Sequence, residues 1–173
     1  MGYLIVDGYN IINSWDELRD LALEDMDLAR CRLINHLSQF NNMWDKLTVV
    51  FDAHLVPGGT ENREMVHSIE VIYTREGERA DNVIERITHN FKGNSNINIW
   101  VATSDHTEQQ TIFSRGAYRI TPRELKSFLN SVKQDIRRNY TENIFMSTRN
   151  PLDELIKKEV KEKLEQWRRS KRI

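Results

Sequence analysis

Short apolar runs alternate with longer stretches of helical periodicity from one end of the chain to the other. The apolar runs are rich in Ile, Val, Tyr and Phe, and they are short and continuous, as is typical of buried parallel strands. They cover residues 3–6, 47–52, 69–74, 97–102 and 117–120. Because strand–helix alternation implies right-handed crossovers, the pattern predicts an α/β fold with a mainly parallel five-stranded sheet and helices on both faces.

Two helices are predicted between the first two strands. Ser14-Trp15-Asp16-Glu17 resembles a capping box that opens a short helix. A longer helix follows, and its apolar face is formed at spacings of three and four by Met26, Ala29, Leu33, Leu37 and Phe40.

Apolar spacing and capping signals predict further helices later in the chain. Thr107 to Arg115 has a helical pattern, and Thr121-Pro122-Arg123-Glu124 joins a capping box to a proline at the first helical position. Asn150-Pro151 repeats the cap-then-proline device before a C-terminal apolar stripe. Another helix is marked by Val83, Ile84, Ile87 and Phe91.

The length of the chain suits one domain with a substantial core. Its 173 residues are 39% hydrophobic and 29% charged, as in soluble globular proteins. One domain is therefore predicted over residues 1–173, with a basic C-terminal helical extension from about residue 121 to residue 173. Residues 53–68 are predicted to be the longest loop, and 139–150 are a candidate second loop.

The composition also limits the compartment and the chemistry. No apolar run reaches membrane-spanning length, and the first one is too short for a signal peptide, so we expect no membrane partner and a cytoplasmic location. Cys31 is the only cysteine, which excludes an intrachain disulfide framework and a Cys-based zinc site. It lies in a helical pattern and is expected to be a buried structural thiol.

The net charge of −1 conceals an asymmetry between the two parts of the chain. Residues 1–118 hold 10 Lys and Arg against 18 Asp and Glu, whereas residues 119–173 hold 15 against 8. An acidic part joined to a basic part suits a metal enzyme that acts on a polyanion. Helix surfaces rich in Lys, Arg and Glu would produce the same bias without any such function.

Four aspartates occupy positions that an α/β sheet would bring together. Asp7, Asp52 and Asp105 end or closely follow predicted strands, and Asp81 opens a predicted helix. Ligands of such sheets bind beyond the carboxyl ends of the strands, where the strand order reverses. Carboxylates gathered there repel one another unless a cation neutralises them, so the sequence predicts a Mg²⁺ or Mn²⁺ site.

Each of these aspartates also has a purely structural interpretation. Asp7 is followed by Gly8 and can be a turn or cap residue, and Asp81 can be a helix N-cap. The same ambiguity holds for Asp105, beside which Ser104 is a candidate hydroxyl donor.

Asp52 and Asn10 are predicted to act around this site. Strand-end aspartates often pair with a backbone amide, so Asp52 is placed at the rim, where it binds the metal through water or positions a ligating group. Asn10 either orients Asp7 or touches the phosphate of the substrate, or it is only a helix-start turn residue.

The ordered set of motifs resembles a known family. Asp7-Gly8-Tyr9-Asn10-Ile11-Ile12, Val50-Phe51-Asp52-Ala53, Ala80-Asp81-Asn82-Val83-Ile84-Glu85, Thr103-Ser104-Asp105 and Gly116-Ala117-Tyr118-Arg119 are similar to the motifs of YacP-like proteins, which belong to the NYN group of PIN-like nucleases. The resemblance covers about residues 3–130. It implies a PIN-like three-layer sandwich and a metal-dependent endoribonuclease.

The resemblance also implies partners and site residues. The substrate would be single-stranded RNA, in particular mRNA, with the ribosome as a partner and no small organic cofactor. Asp7, Asp81 and Asp105 would bind Mg²⁺ or Mn²⁺, and Asp52 would complete the catalytic set. Asn10 and Ser104 would contact the substrate.

Two rival functions were weighed. A haloacid-dehalogenase-like phosphatase also begins with a strand ending in Asp, but it needs a second Asp two residues later, and position 9 is Tyr. A non-catalytic RNA- or ribosome-binding module on a PIN-like scaffold remains an alternative, which the complete set of four aspartates disfavours.

The basic C-terminal tail is a candidate RNA-binding element. A helix with several lysines is followed by a group of cations that we expect to face a phosphate backbone, namely Arg168, Arg169, Lys171 and Arg172. A solubilising tail on a solvated helix would have the same sequence, because phosphate contacts carry no signature of their own.

Overall fold

The computed structural model describes residues 2–52, 60–91, 97–104 and 117–147, with side chains up to residue 138. The chain divides into two compact units, Met1–Leu129 and Asn130–Ile173. The sheet and the site residues discussed below belong to the first unit. The second unit is described only by the C-terminal part of one long helix.

Six strands and five α-helices follow one another in the described parts of the chain. The strands are β1 (Gly2–Asp7), β2 (Lys46–Phe51), β3 (Asn62–Val66), β4 (Ile69–Tyr73), β5 (Asn98–Ala102) and β6 (Tyr118–Ile120). The helices are α1 (Gly8–Ser14), α2 (Asp16–Glu24), α3 (Met26–Ser38), α4 (Ala80–Asn90) and α5 (Pro122–Ser147), with a 3₁₀ turn at Asn41–Met43.

The six strands form one sheet in the order β3-β4-β2-β1-β5-β6. All neighbours are parallel except β3 and β4, which form an antiparallel hairpin at one edge. From β1 the chain extends the sheet in one direction through β2 to β4, and then returns to place β5 on the other side of β1. The order therefore reverses between β1 and β5, where open α/β sheets bind ligands at the carboxyl edge.

Alternate residues of the strands face two different helical layers. Tyr3 and Ile5 of β1 share one core cluster with Val83 and Ile87 of α4. On the opposite face, α1 packs against β1 and β2, and Phe51 of β2 meets the first turn of α1. Apolar burial on both faces gives the three-layer α/β arrangement that the sequence predicts.

The main difference from the expected sheet is the sixth strand. β3 lies inside residues 53–68, where the sequence predicts a loop. The strand gives no sequence signal because its exposed, charged residues, Asn62-Arg63-Glu64-Met65-Val66, lack apolar alternation. The hairpin turn is His67-Ser68, with positive φ angles of 50° and 65°. Turns of this kind favour Asn-Gly, so neither the strand nor the turn carries its usual signal.

The helical predictions were correct where the structure describes them, with exceptions at boundaries. The capping box at residues 121–124 is formed in both directions, since the Thr121 N–H donates to Glu124 over 2.7 Å and the Glu124 N–H donates to Thr121 over 3.2 Å. The capping box at residues 14–17 is wrong: Trp15 is the N-cap of α2 and makes no side-chain cap hydrogen bond. Helix α1, which precedes it, was not expected.

Two other expectations were wrong. Residues 139–147 continue helix α5 instead of forming a loop, which fits the lack of Gly and Pro between α5's first residue and Pro151. Cys31 is exposed on α3 rather than buried, because it lies outside the buried stripe of that helix, which packs against α1 and α2. None of the described helices is long and apolar enough to span a membrane. Residues 107–115 and 150–151 lie outside the described parts.

Candidate active site

The first aspartate of the site lies at the junction of β1 and α1. Asp7 ends the strand and is the N-cap of the helix, where its Oδ1 accepts a hydrogen bond of 3.0 Å from the Asn10 backbone N–H. Gly8 allows this sharp start, because a Cβ atom on it would lie only 2.2 Å from a ring carbon of Phe51. The cap interpretation of Asp7 is therefore correct, and it coexists with the interactions described below.

A chain of side-chain hydrogen bonds joins β5 to β1 through this junction. The Asn10 Nδ2 donates to Asp7 Oδ2 over 2.8 Å, so both carboxylate oxygens of Asp7 are held by Asn10. The Asn10 Oδ1 in turn accepts a hydrogen bond from the Ser104 hydroxyl, just beyond the end of β5. Asn10 thus orients Asp7, and Ser104 orients Asn10, at the point where the strand order reverses.

Asp52 and Asp81 approach the same edge from β2 and α4. Asp52 follows β2, and its Oδ1 accepts a hydrogen bond from the Ala80 backbone N–H, the first amide of α4. The N-cap residue of α4, Arg79, provides no side-chain cap, so Asp52 satisfies this amide from another element. Asp81 is therefore not the N-cap of α4. It lies in the first helical turn, where its negative charge interacts favourably with the helix dipole.

The electrostatic environment of Asp7 is unfavourable to its charge. Its exposed fraction is only 5%. Burial raises the pKa of Asp7 above its ordinary value, and the negative charges of Asp81 and Asp52 raise this pKa further. The two hydrogen bonds from Asn10 favour the ionised form but do not offset these effects. The carboxylates of Asp7, Asp52 and Asp81 are thus brought into electrostatic contact at one edge of the sheet.

This arrangement fits a divalent cation in donor chemistry and in charge. Hard carboxylate oxygens are the ligands that Mg²⁺ prefers, and a bound cation would remove the penalty on the buried charge of Asp7. In the described parts of the chain, no group of three His, Cys, Asp or Glu side chains is arranged so that it could hold a metal ion. Asp105, the third predicted ligand, lies outside those residues.

Several predicted site residues can be placed and others cannot. Asp7 and Asn10 are hydrogen-bonded at the carboxyl edge, and Ser104 contacts Asn10. Asp52 and Asp81 lie near enough to raise the pKa of Asp7. The tail residues Arg168, Arg169, Lys171 and Arg172 lie, like Asp105, outside the described part of the chain. Sequence reasoning missed the bond between Ser104 and Asn10, because 94 positions separate the two residues and no spacing rule links them.

Comparisons with known proteins agree with this fold. The model of the YacP-like NYN domain family matches residues 4–169. The chain is 37% identical over 171 residues to the uncharacterized protein YacP of Bacillus subtilis (strain 168), and the alignment covers 98% of each chain.

Solved structures of Rae1 (YacP) from Bacillus subtilis are also similar to the chain. One crystal structure matches with a TM-score of 0.69 and 37% identity, covering 98% of this chain and 95% of the other. The structure of a tryptophan-to-leucine variant matches with a TM-score of 0.71 and 35% identity over 89% of both chains.

Proposed function

The chain belongs to the YacP-like NYN domain family, a nuclease-like family, and on that premise we propose that it is a metal-dependent endoribonuclease. Its substrate in this proposal is single-stranded RNA, in particular mRNA in association with the ribosome. The observation that carries the proposal is the burial of Asp7 beside Asp52 and Asp81 at the edge where such sheets bind ligands. A carboxylate kept in so unfavourable a place is a candidate for function.

Each residue of the site has a distinct task in this proposal. Asp7 and Asp81, with Asp105, hold Mg²⁺ or Mn²⁺, which when bound activates water and neutralises charge on the phosphate. Asn10 keeps both oxygens of Asp7 in a fixed orientation through its two hydrogen bonds. Asp52 anchors the start of α4 and so sets the position of Asp81.

The ends of the RNA products test the mechanism. With water as the nucleophile, the products carry 5′-phosphate and 3′-hydroxyl ends, whereas attack by the ribose 2′-hydroxyl leaves 2′,3′-cyclic phosphates. Cleavage of a single-stranded RNA in Mg²⁺ or Mn²⁺, followed by mapping of both product ends, distinguishes the two. Cyclic phosphates, or full activity in excess EDTA, would contradict the proposed chemistry.

A separate measurement tests the activity itself against the alternative of a binding module. RNA affinity and RNA cleavage are measured together for the wild type and for Asp7→Asn. The proposal expects equal affinities and cleavage only by the wild type. RNA binding without cleavage by the wild type would favour a non-catalytic module instead.

The ribosome is tested by cosedimentation. The proposal expects the chain to sediment with ribosomes at physiological salt and to cleave a translated mRNA faster than the same RNA free in solution. Equal cleavage rates on the two substrates would remove the ribosome from the proposal and leave the nuclease.

A further inference from the structure

A cleft with a volume of about 660 Å³ opens beside the candidate active site, between α2 and the first turns of α5. Ser104 lines it, and Ser104 is also the donor to Asn10, which holds Asp7. The cleft therefore begins two side-chain hydrogen bonds away from the buried carboxylate. Its lining includes four cationic side chains, those of Arg19, Arg119, Arg123 and Lys126.

The walls of this cleft are held by buried contacts. The indole of Trp15 is only 2% exposed, and its Nε1 donates a hydrogen bond of 3.0 Å to the carbonyl oxygen of Pro122. This bond links the start of α2 to the start of α5. The capping box between Thr121 and Glu124 fixes the first turn of α5, which carries Arg123. The cations of the cleft therefore project from a preorganised frame.

Among the described residues, the acids that pair with Arg19 and Lys126 are exposed. Arg19 forms a salt bridge of 2.8 Å with Asp16, whose side chain is 79% exposed. Lys126 forms one of 3.0 Å with Glu17, whose side chain is 58% exposed. Exposed pairs of this kind are weak, so an incoming anion can replace the carboxylate as partner.

Arg119 carries a hydrogen-bond donor that has no acceptor in the described structure. The donor is its Nε, which is buried. Its charge also faces Glu124, whose pKa is lowered by hydrogen bonds from Thr121 and, to a smaller extent, by Arg119. Arg119 as a whole is only partly buried and lines the cleft, and phosphate oxygens are suitable acceptors for a guanidinium group there.

We propose that this cleft binds phosphates of the RNA strand next to the bond that is cleaved, with Arg119 and Arg123 as the contacting residues. The inference rests on the proposed function, since it extends the same site along the substrate. Ser104 belongs both to the cleft and to the hydrogen-bond chain that ends at Asp7, so a strand bound in the cleft lies next to the candidate active site. The acids beside Arg19 and Lys126 limit the affinity of the empty cleft for anions.

Binding of a fluorescein-labelled single-stranded oligouridine in excess EDTA, measured by anisotropy over a range of salt concentrations, tests the proposal. Arg119→Gln and Arg123→Gln should each weaken binding by about tenfold. Each should also reduce the slope of log affinity against log salt by about 0.7, the value for one phosphate contact on a single strand. Asp16→Asn should change affinity in the opposite direction, by about twofold to fivefold, because it removes the closer of the two acids that pair with Arg19.

Arg32→Gln is the matched control, since Arg32 is exposed on α3 and does not line the cleft. Its affinity and salt slope should equal those of the wild type. If Arg119→Gln melts at a lower temperature, Arg123→Gln decides the question, because Arg123 is exposed and its removal leaves the core intact. Unchanged binding by Arg123→Gln, or an equal loss in Arg32→Gln, would overturn the proposed cleft.

A cleavage assay on the same proteins separates this inference from the proposed function. Absence of cleavage by the wild type with Mg²⁺ or Mn²⁺ would count against the nuclease, whatever the binding data show. Cleavage by the wild type with an unaltered Michaelis constant in Arg123→Gln would count against the cleft alone. The expected result is a raised Michaelis constant with little change in the maximal rate.

Discussion

Two carboxylates on the same face of the sheet have opposite surroundings. Glu70 of β4 accepts a hydrogen bond of 2.9 Å from Thr48 and forms a salt bridge of 2.7 Å with Lys46, and its other oxygen faces Arg63 at 3.5 Å. Although burial raises the pKa of Glu70, the contacts with Lys46 and Thr48 lower it below its ordinary value. Burial raises the pKa of Asp7, and its neighbours Asp81 and Asp52 add to the effect.

The contrast separates a structural carboxylate from a candidate functional one. Glu70 has protein cations as partners, so its charge contributes to the stability of the fold. Asp7 has the amide donors of Asn10 and two negative charges as neighbours, so its buried charge opposes folding in the absence of a cation. The fold therefore pairs the partly buried Glu70 with cations, whereas the buried Asp7 has no cationic partner among the described residues.

The largest effect is expected for Asp7→Asn. Cleavage of RNA should fall by on the order of 10³-fold, because a metal ligand is lost, while the fold should be retained or slightly stabilised in metal-free buffer. Asp81→Asn and Asp105→Asn should behave in the same way. Initial rates and circular dichroism decide it. An unfolded Asp7→Asn protein would show that this aspartate is structural and would remove the contrast with Glu70.

Divalent ions should stabilise the wild type but not Asp7→Asn. At a concentration 100 times the dissociation constant, Mg²⁺ or Mn²⁺ should add about 2.7 kcal/mol to the free energy of unfolding. Thermal unfolding at increasing metal concentration measures it. Equal stabilisation of both proteins would indicate that the ion binds elsewhere.

Glu70→Gln should lose stability and keep activity. Removing the charge that pairs with Lys46 should cost about 1 kcal/mol or less of unfolding free energy, because the Lys46 side chain is 49% exposed and water can replace its lost partner. Urea unfolding measures the loss, and the initial rate of RNA cleavage is the control. A loss of activity with unchanged stability would contradict the structural role.

The pH dependence of stability should differ in sign between the two acids. The lowered pKa of Glu70 means that its contribution is present above the unfolded pKa and is lost as the pH falls through the folded pKa. The raised pKa of Asp7 means that its contribution to stability is present below the unfolded pKa and is lost as the pH rises through the folded pKa. Unfolding in EDTA from acidic to neutral pH should show Asp7→Asn gaining on the wild type as the pH rises, and Glu70→Gln falling behind it. Parallel curves would contradict both assignments.

The smallest effect is expected for Asp52→Asn. The amide oxygen of Asn can still accept from the Ala80 N–H, so the start of α4 should remain in place. Loss of one negative charge beside Asp7 should reduce the cleavage rate by about tenfold or less, well below the effect of Asp7→Asn. A rate as low as that of Asp7→Asn would make Asp52 a direct ligand.

Local signals in the sequence were sufficient for much of this structure. The capping box at Thr121 to Glu124 and the apolar spacing of α3 and α4 depend on neighbouring residues, so the sequence predicts them directly. The carboxyl ends of parallel strands meet at one edge, which is why the sequence alone predicts Asp7 and Asp52 at the same edge.

The missed features depend on contacts that no local pattern encodes. The His67-Ser68 turn adopts positive φ angles without the glycine that usually marks them, so the sequence predicts a loop where the structure has a hairpin. The first amide of α4, that of Ala80, donates its hydrogen bond to Asp52, which lies 28 positions earlier in the sequence. The cleft beside Ser104 joins cations from three separate elements, and their separate positions in the sequence did not single them out.

The two edges of the described sheet are poor templates for a second chain. β3 places Arg63 and Glu64 on its exposed length, and β6 offers only three residues for pairing. Charged residues and short strands at sheet edges both disfavour edge-to-edge association. The strand pairings of a parallel sheet join residues that are far apart in the sequence, so they form slowly. While they form, an open sheet edge can pair with a strand of another molecule. The charged hairpin that escaped prediction thus has a use in keeping the protein free of aggregates while it folds.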